Sequence, residues 1–255
     1  MRRVLSLVVV FIVCSSSLLY AQEQEPLFPL GKSWVGGQDL PLPLGIGGTF
    51  YWQEQDYELV EFSIDPLPIP PEALAGVEIT NSTKEGNLQV DLWLLPFLNV
   101  FGIVGAVDAT TVVTGIPIIG NLDVDYDGVS YGGGFTLAGG TQRFFTSLTT
   151  HFMWANLSDQ DSSVRAWLVT PKAGIHGERG ALWGGALYQN VEEEHRGSIT
   201  VPFFGELMYD VLLEQKSPWN YLVGGQVNLA THWDVTGEVG FGNRKHVEAS
   251  LTYRR

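Results

Sequence analysis

Through the C-terminal half of the chain, apolar and polar residues alternate with a period of two. Between Trp219 and Ala230 the odd positions Trp219, Tyr221, Val223, Val227 and Leu229 are apolar, and Asn220, Gln226 and Asn228 fall between them. Between Trp233 and Phe241, Trp233, Val235, Val239 and Phe241 alternate with Asp234, Thr236 and Glu238. Between His246 and Arg254, Val247, Ala249, Leu251 and Tyr253 alternate with His246, Glu248, Ser250, Thr252 and Arg254. Successive side chains of a strand point to opposite faces, so each segment predicts a strand with one apolar and one polar side. Upstream, Val129, Tyr131, Phe135 and Leu137 alternate with Ser130, Gly132, Gly134 and Thr136, and Phe144, Leu148, Phe152 and Trp154 with Arg143, Ser147, Thr149 and His151. Segments 163–174 and 181–191 are apolar on both faces and read as strands without a resolved side.

Beyond the N-terminus no stretch suits a membrane helix. The most apolar one, Leu92–Val107, is too short and is interrupted by Pro96, Asn99, Gly102 and Gly105, so it reads as two strands about a turn. The first residues have the layout of a secretory signal: Arg2 and Arg3, an apolar core from Val4 to Val13, then Leu19 and Ala21 before a cut at Gln22. Phe11, Ile12 and Val13, ahead of Cys14, do not make the small-residue box of a lipoprotein. Cys14 is the only cysteine and leaves with the signal, so the rest of the chain holds no disulfide and no cysteine metal site. Cleavage also removes both arginines, leaving 12 Lys+Arg against 28 Asp+Glu, a net charge of −16. A nucleic-acid partner, which needs clustered positive charge, is excluded, as is basic docking on an anionic membrane.

Charged residues make up only 16% of the chain, against roughly 25% in ordinary soluble domains. A soluble sandwich or barrel alternates as well as a membrane barrel does. Three features favour lipid: polar faces rich in glycine and small residues, strand lengths near those of a tilted membrane strand, and aromatics near the strand ends. Residues 76–255, with segments such as LLPFLNVFGIVG (94–105), YGGGFTLAGG (131–140) and KSPWNYLVGGQ (216–226), resemble the Gram-negative outer-membrane β-barrel superfamily, porin-like in style. The resemblance implies an all-β antiparallel transmembrane barrel in the cell outer membrane, reached by secretion across the inner membrane. It also implies outer-membrane lipids and the barrel-assembly machinery as partners. Members usually end on an aromatic residue; here Tyr253 is followed by Arg254 and Arg255.

Loop parity tests the strand count, since both termini of such a barrel lie in the periplasm and strand number is even. Ten crossings follow from residue 76 onward, with a turn at 84–87 (KEGN), a long outside loop at 108–128, and 204–214 as a hairpin projecting from the barrel. A hairpin around Phe50–Ile64 raises the expectation to twelve strands, with ten as the alternative. The predicted division is a signal at 1–21, a Pro/Gly-rich periplasmic tail or lumen plug at 22–45, and the barrel at 46–255. Asp65–Pro71 (DPLPIPP) reads as a rigid loop.

Chemistry is sparse. His151, His176, His195, His232 and His246 lack metal-ligand spacing, and no P-loop or nucleophile elbow is present. Ser147 and His151 share a face, but four residues of strand separate them by about 13 Å. No catalytic residue, metal or cofactor is predicted, and the chain is read as a non-enzyme. Candidate lumen-lining residues are Asp234, Glu238, His246, Glu248 and Arg254. They read either as a network filling a narrow lumen or as an acidic lining that passes small solutes or cations. Trp93, Trp154, Trp183, Trp219, Trp233 and Tyr253 are the candidate membrane-interface aromatics. The functions carried forward are a porin-like channel, a non-conducting barrel acting through its loops, and an outer-membrane lipid hydrolase.

Overall fold

In the computed structural model, which describes residues 27–36, 40–65, 76–116, 120–157, 163–201 and 205–255, the chain is built from eleven strands. They are β1 (Leu44–Asp65), β2 (Glu78–Leu95), β3 (Leu98–Ile116), β4 (Gly120–Gly140), β5 (Phe144–Leu157), β6 (Ser163–Gly177), β7 (Gly180–Val201), β8 (Gly205–Gln215), β9 (Trp219–Ala230), β10 (Trp233–Gly242) and β11 (Arg244–Arg254). The signal and most of the Pro-rich stretch at 65–71 lie outside the described residues.

Every pairing is antiparallel. β1 to β7 pair in sequence order, as do β9 to β11, and β11 returns to β1 from Gly45↔Arg254 to Gln55↔Arg244, which closes the sheet. β7 serves two partners. Its first half pairs with β9, from Gly180↔Val227 to Tyr188↔Trp219, and its second half with β8, from Glu193↔Leu213 to Val201↔Gly205. β8 in turn lies against the far half of β1, from Tyr57↔Gln215 to Asp65↔Met208. The molecule is therefore a closed ten-stranded barrel at the end with the short turns. At the other end β1–β8 alone form an eight-stranded collar. By the usual orientation, short turns mark the periplasmic end.

The expected twelve strands are corrected to ten. The supposed hairpin at Phe50–Ile64 is one 22-residue strand, β1. The supposed turn at 84–87 sits inside β2, where Lys84 pairs with both Trp52 and Asp108. The supposed loop 108–128 is the far ends of β3 and β4, paired from Asp108↔Asp127 to Val113↔Leu122. Charge in these segments looked like loop. It lies instead on the outer face of strands that run past the membrane. The hairpin expected at 204–214 is corrected in part: over the described residues 205–215 it is no separate crossing, but it does not project either, because β8 pairs with β7 on one side and β1 on the other and belongs to the collar.

That outer face changes character sharply along the longer strands. On β4 it reads Asp123, Asp125, Asp127, then Val129, Tyr131, Phe135 and Leu137. The same step falls at Asp108 on β3, Lys84 on β2, Glu54 on β1, Lys245 on β11, Arg165 on β6 and Asn190 on β7. Below it the exterior is apolar and exposed: Phe50, Val104, Phe144, Leu148, Phe152, Ile175, Leu182, Val223, Val227, Val235 and Leu251 among others. A continuous surface of this kind is stable against hydrocarbon and not against water.

Two aromatic rims bound the band. The outer one runs through Tyr131 stacked on Trp154, Trp167 against Tyr188, Tyr188 against Trp219, and Tyr221 beside Phe241. The periplasmic one includes Phe144, Trp233 and Tyr253, the last two packed edge to face. Phe144 and Trp154 are ten residues apart on β5. At ~3.3 Å per residue and a tilt of ~40° that is ~25 Å of height, the thickness of an outer-membrane apolar band.

The N-terminal segment stays at the periplasmic rim. Leu30 donates its N–H to the carbonyl of Leu94 at 2.9 Å, a single 3-10 turn spans Lys32–Val35, and Trp34 stacks on Phe97 at the β2–β3 turn.

Candidate functional site

Inward-facing side chains are distributed unevenly around the lumen. Along β2 they are Asn81, Thr83, Glu85, Asn87, Gln89 and Asp91, all polar, and neighbouring β1 and β11 add Tyr51, Gln53, His246 and Glu248. The rest of the lining is mixed: apolar side chains such as Phe101, Ile103 and Val107 from β3, Met153 and Leu157 from β5, Leu168 from β6 and Leu187 from β7 are interspersed with Ser130, Thr136, Thr149, His151, Thr170, Lys172 and Gln189 from β4–β7. Between the walls lies a cavity of about 450 Å³. No described residue of the N-terminal segment before β1 lines it.

Three polar clusters order the polar wall. At the periplasmic end Arg254 donates to Asp91 at 2.9 Å, Asn99 donates to the same carboxylate at 2.7 Å, and Asp234 lies 3.4 Å from Arg254 Nε. This cluster straddles the β11–β1 closure. Gly45 belongs to it, because a Cβ there would collide with Asp91. The basic residue after the last aromatic is thus a clamp on the seam. At mid-height the Ser130 hydroxyl donates to Glu85. At the collar end Asn81 donates to Thr111 at 2.9 Å and to the Tyr126 hydroxyl at 2.6 Å.

The central feature crosses the lumen. Lys172 reaches from β6 to Glu238 on β10 at 2.5 Å, and Trp183 on β7 donates its indole N–H to the same carboxylate oxygen at 2.8 Å. His246 Nε2 lies 3.7 Å from the other oxygen, and the Lys172 ammonium sits 5.3 Å from the centre of the Trp183 ring. Glycines make this possible. A Cβ on Gly240 would run into the His246 imidazole, one on Gly224 into the Trp183 indole, and one on Gly185 would crowd the Lys172 stem at 3.1 Å. Lys172 borders both the central cavity and a second, more open space of about 780 Å³ along β4–β7. Gly240→Val is therefore expected to evict His246 and destabilise the barrel by about 1–3 kcal/mol, the usual cost of overpacking. A denaturant midpoint unchanged from wild type would show that the ring is not seated there.

All five candidate lumen residues face inward. Glu238, His246, Glu248 and Arg254 border the cavity, and Asp234 is tied to Arg254. The interface aromatics divide. Trp154, Trp219 and Trp233 are exposed on the outer face, and Tyr253 joins them beside Trp233. Trp93 and Trp183 are corrected: both turn inward, Trp93 to the cavity and Trp183 to Glu238. Trp93 shares its parity with Asn87, Gln89 and Asp91, which places it on the polar face. Lys172 was missed because its segment is apolar on both faces. The usable signal was the charge itself, since a lysine inside a membrane strand must face the lumen. Ser147 and His151 do not form a catalytic pair, for His151 packs edge-on against Phe101 at 4.9 Å.

No protein-family model and no curated protein matches the chain. Among solved structures it is similar to the outer membrane protein OprG from Pseudomonas aeruginosa at 12% identity, covering 85% of this chain and 98% of that one, with a TM-score of 0.49. The translocator domain of autotransporter NalP from Neisseria meningitidis aligns at 10% identity over 88% and 91% of the two chains, with a TM-score of 0.44. An outer membrane channel from Pseudomonas putida F1 aligns at 11% identity over 85% and 97%, with a TM-score of 0.37. With its closed antiparallel pairing, apolar exterior and polar-lined interior, the chain has the architecture of an outer-membrane β-barrel.

Proposed function

We propose that this barrel is a narrow, selective passage for small amphipathic solutes across the outer membrane, rather than an open porin. One observation carries the reading: the cavity is lined by an all-polar run on β2 and, over β3–β7, by apolar side chains interspersed with polar ones, inside a barrel with an apolar exterior. A solute with a hydrogen-bonding end and an apolar body finds both kinds of contact there, as in other largely preformed small-molecule sites. The interior of the described residues remains acidic. Glu85, Asp91, Asp234, Glu238 and Glu248 face Lys172, Arg244 and Arg254, but Lys172 and Arg254 hold three of the five carboxylates. Weak cation preference with low ion conductance is the expected result.

The test is reconstitution of the folded, signal-free chain in liposomes. Influx of a small amphipathic alcohol should exceed that of a sugar of equal size, and planar-bilayer conductance should be small. Removing residues 22–43 should leave both unchanged, since no described residue of that segment borders the cavity. A folded protein that passes neither solute would leave a barrel acting through its collar, whose outer face carries Asp123, Asp125 and Asp127 above the membrane band.

A further inference from the structure

Of the chain's prolines, Pro171 alone lies within one of the eleven strands, and it stands in the middle of β6. Proline in a sheet is ordinarily confined to edges and bulges, because it brings no N–H to the ladder. Here β6 has a neighbour on each side. Towards β5 the pairing runs on unbroken through Leu148↔Pro171. Towards β7 it stops at Val169↔Tyr188 and resumes at Lys172↔Gly185, so Thr170 and Pro171 stand opposite Leu187 and Ala186 without a bridge. The register is the same before and after, so the interruption is not a bulge. The Pro171 carbonyl points at β7, where a Cβ on Gly185 would meet it at 2.5 Å. A strand residue turns its N–H and C=O to the same neighbour, so the absent N–H is the one that would bond Ala186. In hydrocarbon no water replaces such a bond.

The interruption separates two spaces. On its inner side Thr170 and Leu187 are buried and line the central cavity. On its outer side Pro171 is exposed and, with Leu137, Leu148 and Gly184, lines the more open space against the lipid. Its pairing with Leu148 sets it near the middle of the apolar band. The next residue of β6, Lys172, borders both spaces and reaches across the lumen to Glu238. The ionic bar and the weakened wall are thus consecutive residues.

We propose that the wall between β6 and β7 at Pro171 is a lateral exit, through which the apolar body of an amphipathic solute leaves the lumen for the membrane. The inference rests on the reading of the cavity as a passage for such solutes and names where they leave it. A solute stopped at Lys172 and Glu238 lies against Thr170 and Leu187. Transfer of its apolar surface into hydrocarbon is favourable, whereas the way deeper crosses a buried ion pair. Parting β6 from β7 at this point breaks fewer ladder bonds than at a fully paired stretch.

The experiment uses the full chain in the outer membrane of a Gram-negative host lacking its major porins, with two probes. N-phenyl-1-naphthylamine fluoresces on reaching hydrocarbon, and 4-nitrophenyl glucoside reports arrival in the periplasm through a glucosidase placed there. Pro171→Val, which restores the ladder N–H, should slow dye arrival by about fivefold, the worth of one ladder hydrogen bond, and leave glucoside hydrolysis unchanged. Thr170→Cys with Leu187→Cys places two thiols on facing residues about 4.5 Å apart, within disulfide reach. Oxidation of that variant should stop dye arrival and reduction should restore it. Dye arrival unaffected by either change overturns the proposal, as does a parallel fall of both probes in Pro171→Val. If the double-cysteine variant fails to fold, Pro171→Val still decides. Arrival of the glucoside without protein-dependent arrival of the dye overturns this proposal alone. Arrival of neither probe above that in cells without the protein overturns it together with the amphipathic passage.

Discussion

Replacing Lys172 and Glu238 together by alanine is expected to raise small-solute influx by about tenfold, because the pair is the one ionic bar across the described lumen. The double replacement is the informative one. Lys172→Ala alone leaves Glu238 7% exposed with only Trp183 and His246 beside it. Breaking a buried pair from one side costs about 3–5 kcal/mol, so a single variant confuses opening with unfolding. Removing both charges deletes the bar and leaves no unpaired charge; the Trp183 indole N–H loses its acceptor, a smaller cost. Liposome swelling reads the influx, and heat-modified electrophoretic mobility reports folding. A folded double variant with wild-type influx would mean that the passage is closed elsewhere, at the Asn81–Thr111–Tyr126 layer nearer the collar.

A charge set into the outer band should be as damaging as that bar is restrictive. Leu148 lies on the outer face of β5, close to midway between the Phe144 and Trp154 rims. Leu148→Arg is expected to cost about 2–4 kcal/mol in a bilayer, the penalty for arginine near the midplane of a barrel. Asp125 lies on the same kind of face beyond the charged step, so Asp125→Arg is expected to change stability by less than about 0.5 kcal/mol. Denaturant unfolding in vesicles measures both. Equal effects would refute the placement of the lipid boundary at Asp127, Asp108 and Lys84.

The barrel itself was legible because alternation survives in most strands, β6 and β7 being the exceptions, and the interior acids were legible because they fall on one parity. The strand count was not. Membrane strands need about ten residues, and that length was imposed on β1, β2, β3 and β4. Those strands run on into water, so their charged outer positions looked like turns. Yet the inner positions Ala109, Thr111, Val113, Leu122, Val124 and Tyr126 keep the period of two across the supposed loop. Trp93 could have been placed by its polar neighbours. Trp183 could not, because Ala181, Gly185 and Leu187 match the opposite face in character.

The change from ten strands to eight carries a geometric consequence. With strands ~4.8 Å apart and tilted by ~40°, a ten-stranded ring has a backbone diameter of ~20 Å and an eight-stranded ring ~16 Å. The cross-section therefore shrinks by about a third from the periplasmic mouth to the collar, whatever side chains line it. The molecule is a funnel with its narrow neck toward the outside, and the neck's bore is set by topology. Trimming side chains in the collar can smooth that bore but cannot widen it. Only lengthening β9, β10 and β11, so that all ten strands reach the rim, would do so.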